Sequence, residues 1–180
     1  MSQAYYYLVA SLPRLEFESR PPLSLQDFLK ECQGQISERD FQILQKAASA
    51  QSSKTRPKPS LLDSWFRFNQ NLRNELAWAR ALRAGKDPLL HIRGSRAYEP
   101  LFIDVVAQAA KAPDPLASEK LLDRFRWQCL DGLLYGHYFD IEVLLVYAFK
   151  LQILERYQEI ESSKGQEIFA EYKKLEMPDF

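Results

Sequence analysis

The chain has 180 residues, 24 Lys+Arg against 24 Asp+Glu, and 46% hydrophobic side chains, 13% of the total being aromatic; this is enough apolar material for a self-sufficient core. Its cysteines, Cys32 and Cys129, form no CxxC pair, which gives no basis for a disulfide scaffold, a zinc ribbon or a redox dithiol. The opening Met1-Ser2-Gln3-Ala4-Tyr5 lacks a leader pattern, the longest apolar run (Val143 to Phe149) is far short of the roughly 20 residues that span a bilayer, and neutrality removes a whole-molecule argument for nucleic acid. A cytoplasmic protein is expected, peripheral at most on the inner face of the cell membrane.

Glycines are few, prolines fall between apolar-periodic stretches, and Asp131-Gly132 lies inside a helical pattern, so the chain reads as all-α. The expectation is a single compact helical bundle of about six to seven helices with a buried central helix near 140–160. Within residues 1–180 it subdivides into an N-terminal subdomain over 1–50, a linker 51–59 and a main bundle 60–180. Ala4 to Ser11 is strand-like in composition but has no partner strand, and is expected as an extended segment or a first helical turn. Ser24 with Asp27 and Ser37 with Asp40 resemble capping boxes and predict helices near 24–33 and 37–50. Residues 51–59 contain no apolar side chain and include Pro57 and Pro59, which marks a loop.

Ser60 with Asp63 starts a helix to about Arg83, whose face is Leu61, Trp65, Phe68, Leu72, Leu76 and Ala79. Gly85 stops it, and Arg80 and Arg83 suit the negative end of its dipole. A short helix near 99–111 follows. The next begins near Leu116 and carries two stripes: Leu122, Phe125, Cys129 and Leu133, and Trp127, Leu130 and Leu134. Two stripes imply two packing partners. Gly136 ends that helix. From Tyr138 or Asp140 a further helix is apolar at nearly every angle through Phe149, the signature of burial on all sides, and turns polar after Leu154. Gly165 precedes a last amphipathic helix with Ile168, Phe169, Tyr172 and Leu175.

Sequence signals for chemistry are sparse. There is no G-x-S-x-G elbow and no H-E-x-x-H pair, and no cofactor or metal is expected. His137, Asp140 and Glu142 form one compact His/carboxylate group; convergence would permit metal or acid/base work, whereas Asp140 as a cap and Glu142 in a first turn is the structural alternative. Ala84-Gly85-Lys86-Asp87 lacks the rest of a phosphate loop. His91 to Arg96 could hold an anion with backbone N–H groups and two arginines, or be a surface loop.

Charge is unevenly spread. Residues 67–96 hold seven bases (Arg67, Arg73, Arg80, Arg83, Lys86, Arg93 and Arg96) against Glu75 and Asp87, whereas 155–180 holds seven acids and four bases. Such a basic stretch fits an acidic protein partner, nucleic acid or water; without interleaved exposed aromatics, nucleic acid is not expected as a partner.

Two stretches carry a resemblance. Tyr5-Tyr6-Tyr7-Leu8-Val9-Ala10-Ser11-Leu12-Pro13 and the late helix Phe139 to Arg156, with Tyr147-x-x-Lys150-Leu151 followed by Glu155 and Arg156, resemble the C/d superfamily of V-type ATPase subunits. The whole chain is more narrowly similar to a short uncharacterised bacterial family encoded beside V-type ATPase subunits. The resemblance implies a noncatalytic accessory or central-stalk-like subunit, not an enzyme, that couples or assembles through contacts with central-stalk or rotor-ring subunits. On it, Tyr147, Lys150, Glu155 and Arg156 are candidate partner-binding residues; the basic stretch adds Arg73 and Arg80. The alternatives are a small helical enzyme using His137, Asp140 and Glu142, and a nucleic-acid-binding adaptor using 67–96.

Overall fold

The computed structural model describes residues 4–49 and 60–161, and all regular structure among them is helical. Seven α-helices are described: α1 (Tyr6–Ser11), α2 (Leu25–Cys32), α3 (Glu38–Ala48), α4 (Ser60–Arg83), α5 (Pro100–Ala109), α6 (Pro115–Leu133) and α7 (Ile141–Glu161), with a 3-10 turn Pro88–Leu90 after α4. The expected linker 51–59 and the expected terminal helix at Ile168 to Leu175 lie outside the described residues. The chain divides into two compact units, Met1–Ser53 with Phe139–Phe180, and Lys54–Tyr138. One boundary falls inside the expected linker. The other, at Tyr138–Phe139, groups α7 with the N-terminal helices rather than with the remainder of a 60–180 bundle.

Side-chain caps set the starts of α2, α3 and α6. Ser24 Oγ accepts from Asp27 N at 3.0 Å and Ser37 Oγ from Asp40 N at 3.2 Å, each satisfying a donor that has no partner within its helix. Asp114 does the same for Ala117 N at 2.7 Å ahead of Pro115, proline at this position losing no needed N–H. Helix α4 ends at Gly85 (φ +65). Gly85 N donates to Leu82 O at 3.1 Å and Lys86 N to Ala81 O at 2.9 Å, the paired bonds of a Schellman cap, which needs the left-handed conformation that glycine adopts without strain.

The Tyr-rich opening folds as a helix. With no strand among the described residues to pair with, its backbone donors are satisfied internally, beginning with Val9 N to Tyr5 O at 3.0 Å. The helical spacing then buries Tyr5 and Leu8 while Tyr6 and Tyr7 face water.

In the first unit, α7 packs against α2 and α3. Leu144, Leu145, Val146, Ala148, Phe149, Leu151, Ile153 and Leu154 are all buried, as the absence of a polar face requires. Helix α2 contributes buried Phe28 and Cys32, and α3 contributes Leu44 and Ala47. The segment before α2 joins this core through Phe17, whose ring meets Tyr157 edge-on at 5.9 Å.

In the second unit, α5 packs on both α4 and α6, and α4 also packs on α6. The centre is Leu72, Phe102, Val106, Ala109, Leu122 and Phe125, with Phe68, Leu76, Ala79 and Val105 against it. Phe68, Phe102 and Phe125 form a triangle of rings with centroids 4.9 to 5.1 Å apart, within the range of favourable edge and tilted contacts. Leu72 is fully buried beside this triangle. Leu72→Ala is expected to destabilise the protein by about 2–4 kcal/mol, the cost of lost burial plus an unfilled cavity. Urea denaturation followed by circular dichroism measures it; a loss near zero would mean that this cluster does not hold the unit together.

Candidate functional site

Helix α7 carries four of the expected partner-binding residues, and Tyr147 and Glu155 among them make hydrogen bonds that tie the helix to the N-terminal segments. The Tyr147 hydroxyl donates to Pro13 O at 2.9 Å, and its ring lies 4.9 Å from that of Phe28. Desolvation, assisted by the nearby charge of Glu31, pushes its phenol up to about 12. Glu155 Oε1 accepts from Leu25 N at 2.7 Å. That places a carboxylate on the first N–H of α2, where an unpaired donor and the positive end of the helix dipole both favour it. Lys150 is half-buried and Arg156 exposed. Between Tyr147 and Glu155, Gln152 Nε2 donates to Ala48 O at the end of α3, at 2.5 Å. Thus Tyr147, Gln152 and Glu155 tie α7 to three other segments of the same unit.

The basic stretch divides into engaged and exposed charges. Arg73 and Arg80 are both exposed, and a seven-residue separation puts them on one side of α4. Glu75 and Arg96 instead form a two-pronged ion pair: Arg96 Nε to Glu75 Oε2 at 2.8 Å and Nη2 to Oε1 at 2.7 Å. The guanidinium lies 4.2 Å over the Trp78 ring and 5.7 Å from that of Tyr98. Buried Asn74 pairs with the backbone of Arg93 in both directions, donating to its carbonyl and accepting from its N–H, each at 2.9 Å. Side chains of α4 therefore clamp the 91–98 loop down, and sequence periodicity missed Asn74 and Glu75 because it treats polar residues as surface.

This clamp occupies two of the anion-binding groups expected at His91 to Arg96, the Arg93 N–H and the Arg96 guanidinium. At Ala84 to Asp87 the N–H groups of Gly85 and Lys86 are likewise occupied by the α4 cap. The 84–87 loop therefore does not present the open row of backbone donors that a phosphate requires. The thiols are equally unsuited to chemistry. Burial pushes Cys32 up to about 12 and Cys129 up to about 11, which keeps both protonated and inert.

In the stretch 137–142, His137, Asp140 and Glu142 each offer one ligand atom, and these atoms lie within 4.8 Å of one another. One imidazole nitrogen with two carboxylate oxygens is a donor set for a borderline divalent cation. Two of the same residues serve the start of α7. The Asp140 carbonyl accepts from Val143 N at 3.2 Å, and Glu142 occupies the first turn, where its charge complements the helix dipole.

One exposed feature was not singled out by sequence. Leu82, Leu89 and Leu90 are 60%, 65% and 80% exposed around the end of α4 and the 3-10 turn. Its signal is Pro88-Leu89-Leu90 set between Lys86-Asp87 and Arg93, an apolar doublet in a turn rather than on a periodic face.

Fold and surfaces together describe a helical protein in which Asn74, Glu75, Tyr147, Gln152 and Glu155 make internal ties and in which α4 and the loop after it carry a run of exposed cations. Residues 100–177, from α5 through α7 and beyond, match a family described as a protein of unknown function (DUF2764). No curated protein and no solved structure matches the chain.

Tyr147 is expected to contribute a pH dependence. In the unfolded chain its phenol ionises near pH 10, whereas in the fold it stays neutral up to about 12. Its contribution to stability is therefore complete below pH 10 and is lost as the pH rises from there toward about 12. Tyr147→Phe should cost about 1 kcal/mol at neutral pH, through the lost bond to Pro13, and remove this residue's share of the alkaline loss. Urea midpoints across alkaline pH test both; an unchanged alkaline limb would show that Tyr147 does not titrate with unfolding.

Proposed function

We propose that the chain is a noncatalytic accessory or central-stalk-like subunit of a bacterial V-type ATPase, acting through protein contacts. The observation that supports this reading is that the two stretches carrying the resemblance, 5–13 and 139–156, are bonded to each other. Tyr5 N donates to Phe139 O at 2.5 Å, and Tyr147 OH donates to Pro13 O at 2.9 Å. Residues more than 130 positions apart along the chain thus form one structural element, as expected of a motif that works as a unit.

The roles inside that unit differ from residue to residue. Tyr147 and Glu155 shape it from within, so contact with a neighbouring subunit falls to exposed groups, Arg156 on α7 and Arg73 and Arg80 on α4. Exposed cations select an acidic partner and speed its approach more than they add affinity. No described helix is long and apolar enough to cross a membrane.

A tagged copy purified from mildly detergent-solubilised native cells is expected to bring V-type ATPase subunits with it in stable proportion. Arg73→Glu with Arg80→Glu, both exposed and therefore tolerated by the fold, should lower that recovery roughly tenfold. Recovery of the protein alone, with intact ATPase in the same extract, would overturn the reading.

A further inference from the structure

We infer that the end of α4 and the turn after it form an interfacial docking surface for an anionic lipid membrane, with Leu89 and Leu90 as the inserting side chains. From Leu82 to His91 every residue except Pro88 is exposed. The Schellman cap at Gly85 reverses the chain there, and the 3-10 turn packs on α4, which presents the two leucines from a fixed support. The turn is held locally as well: Asp87 accepts from Leu89 N at 3.0 Å, and Leu90 N donates to Asp87 O at 3.3 Å. Leucines at 65% and 80% exposure are an apolar protrusion rather than a groove.

The surrounding charge is of one sign. Asp87 is the only acid between Leu76 and Tyr98, and its carboxylate is turned onto the Leu89 N–H. Arg96 is neutralised by Glu75. Among the described residues Arg80, Arg83, Lys86 and Arg93 make no ion pair. A pair of apolar side chains protruding among unpaired cations matches the chemistry of an anionic leaflet, whose headgroups attract the cations while the acyl boundary receives the leucines.

Other occupants fit less well. Nucleic acid would use the cations but would leave the leucines in water, and no exposed aromatic platform accompanies them in the turn. A protein partner would need an acidic rim around a pocket shaped to two adjacent leucines. A bilayer deforms to receive any such shape.

The test uses the full chain and lipid alone, so it is independent of the ATPase reading. Vesicles of phosphatidylcholine, with and without phosphatidylserine, are sedimented with the protein at low and high salt. Binding is expected only to the anionic vesicles and should weaken with salt. Each cation near such a surface is worth about fivefold in binding, so Arg83→Glu with Lys86→Glu should lower affinity by about 20-fold or more. Leu89→Ser with Leu90→Ser should lower it about tenfold at low salt, whereas Leu89→Phe with Leu90→Phe should retain it. Circular dichroism checks that each variant keeps wild-type helicity. Absence of binding to the anionic vesicles, or equal binding by the Leu→Ser variant, would overturn the proposal. So would a Leu→Ser variant that binds vesicles normally but loses co-purifying ATPase subunits, which would assign the leucines to a protein partner.

Discussion

Between Leu144 and Leu154, α7 has so little polar surface that it can exist only if other segments of the chain cover it. Burying even half of those aliphatic side chains is worth on the order of 10 kcal/mol, comparable to the whole net stability of a typical domain. The N-terminal helices are too short to be stable alone. Their role is to bring Phe28, Cys32, Leu44 and Ala47 to this core. Burial gives no preferred rotation or register to a helix that is apolar all round. Directional bonds supply it: Tyr147 to Pro13, Gln152 to the end of α3, and Glu155 to the start of α2.

The second unit solves a different problem. Helix α4 has an apolar face that meets α5 and α6 around three phenylalanine rings, and that much is ordinary amphipathic packing. Its buried Asn74 and Glu75 would each be costly without partners. The 91–98 loop supplies both, the Arg93 backbone for Asn74 and the Arg96 guanidinium for Glu75. Removing Arg96 would therefore leave a buried carboxylate unpaired, a larger penalty than the net worth of the ion pair. Trp78 under the guanidinium shields the pair further and adds a cation–π attraction.

Local signals made most of the helices readable in advance. The Ser24 and Ser37 caps, the Gly85 stop and the three- and four-residue apolar spacing all act within a few residues, so the sequence displays them directly. The opening tyrosines were ambiguous because propensity favours a strand while the choice is made by whether a partner strand exists, a non-local fact. The grouping of α7 with the N-terminal helices is non-local for the same reason: an apolar helix does not record which apolar faces will cover it. Of the residues singled out for function, Arg73 and Arg80 stay on the surface, whereas Tyr147 and Glu155 are engaged internally. Their motif was visible, but the target of a hydroxyl or a carboxylate cannot be read from spacing alone.

Charge shows the same distinction most clearly. Along the sequence, 67–96 is a run of seven bases, and each looks equally available. In the fold, Arg96 is locked to Glu75 and stacked on Trp78, while the exposed Arg80, Arg83, Lys86 and Arg93 flank along the chain a turn that puts two leucines into water. A solvated basic face alone needs no explanation, because lysine and arginine belong on surfaces. Two adjacent leucines held outward by a glycine-dependent cap and an Asp-anchored turn do need one. Replacing them with polar residues would remove apolar surface from water and leave the described core untouched, so the folding of this unit does not account for their presence. An interaction at this turn does account for it, and the unpaired cations that flank the leucines along the chain set the sign of the surface they would meet.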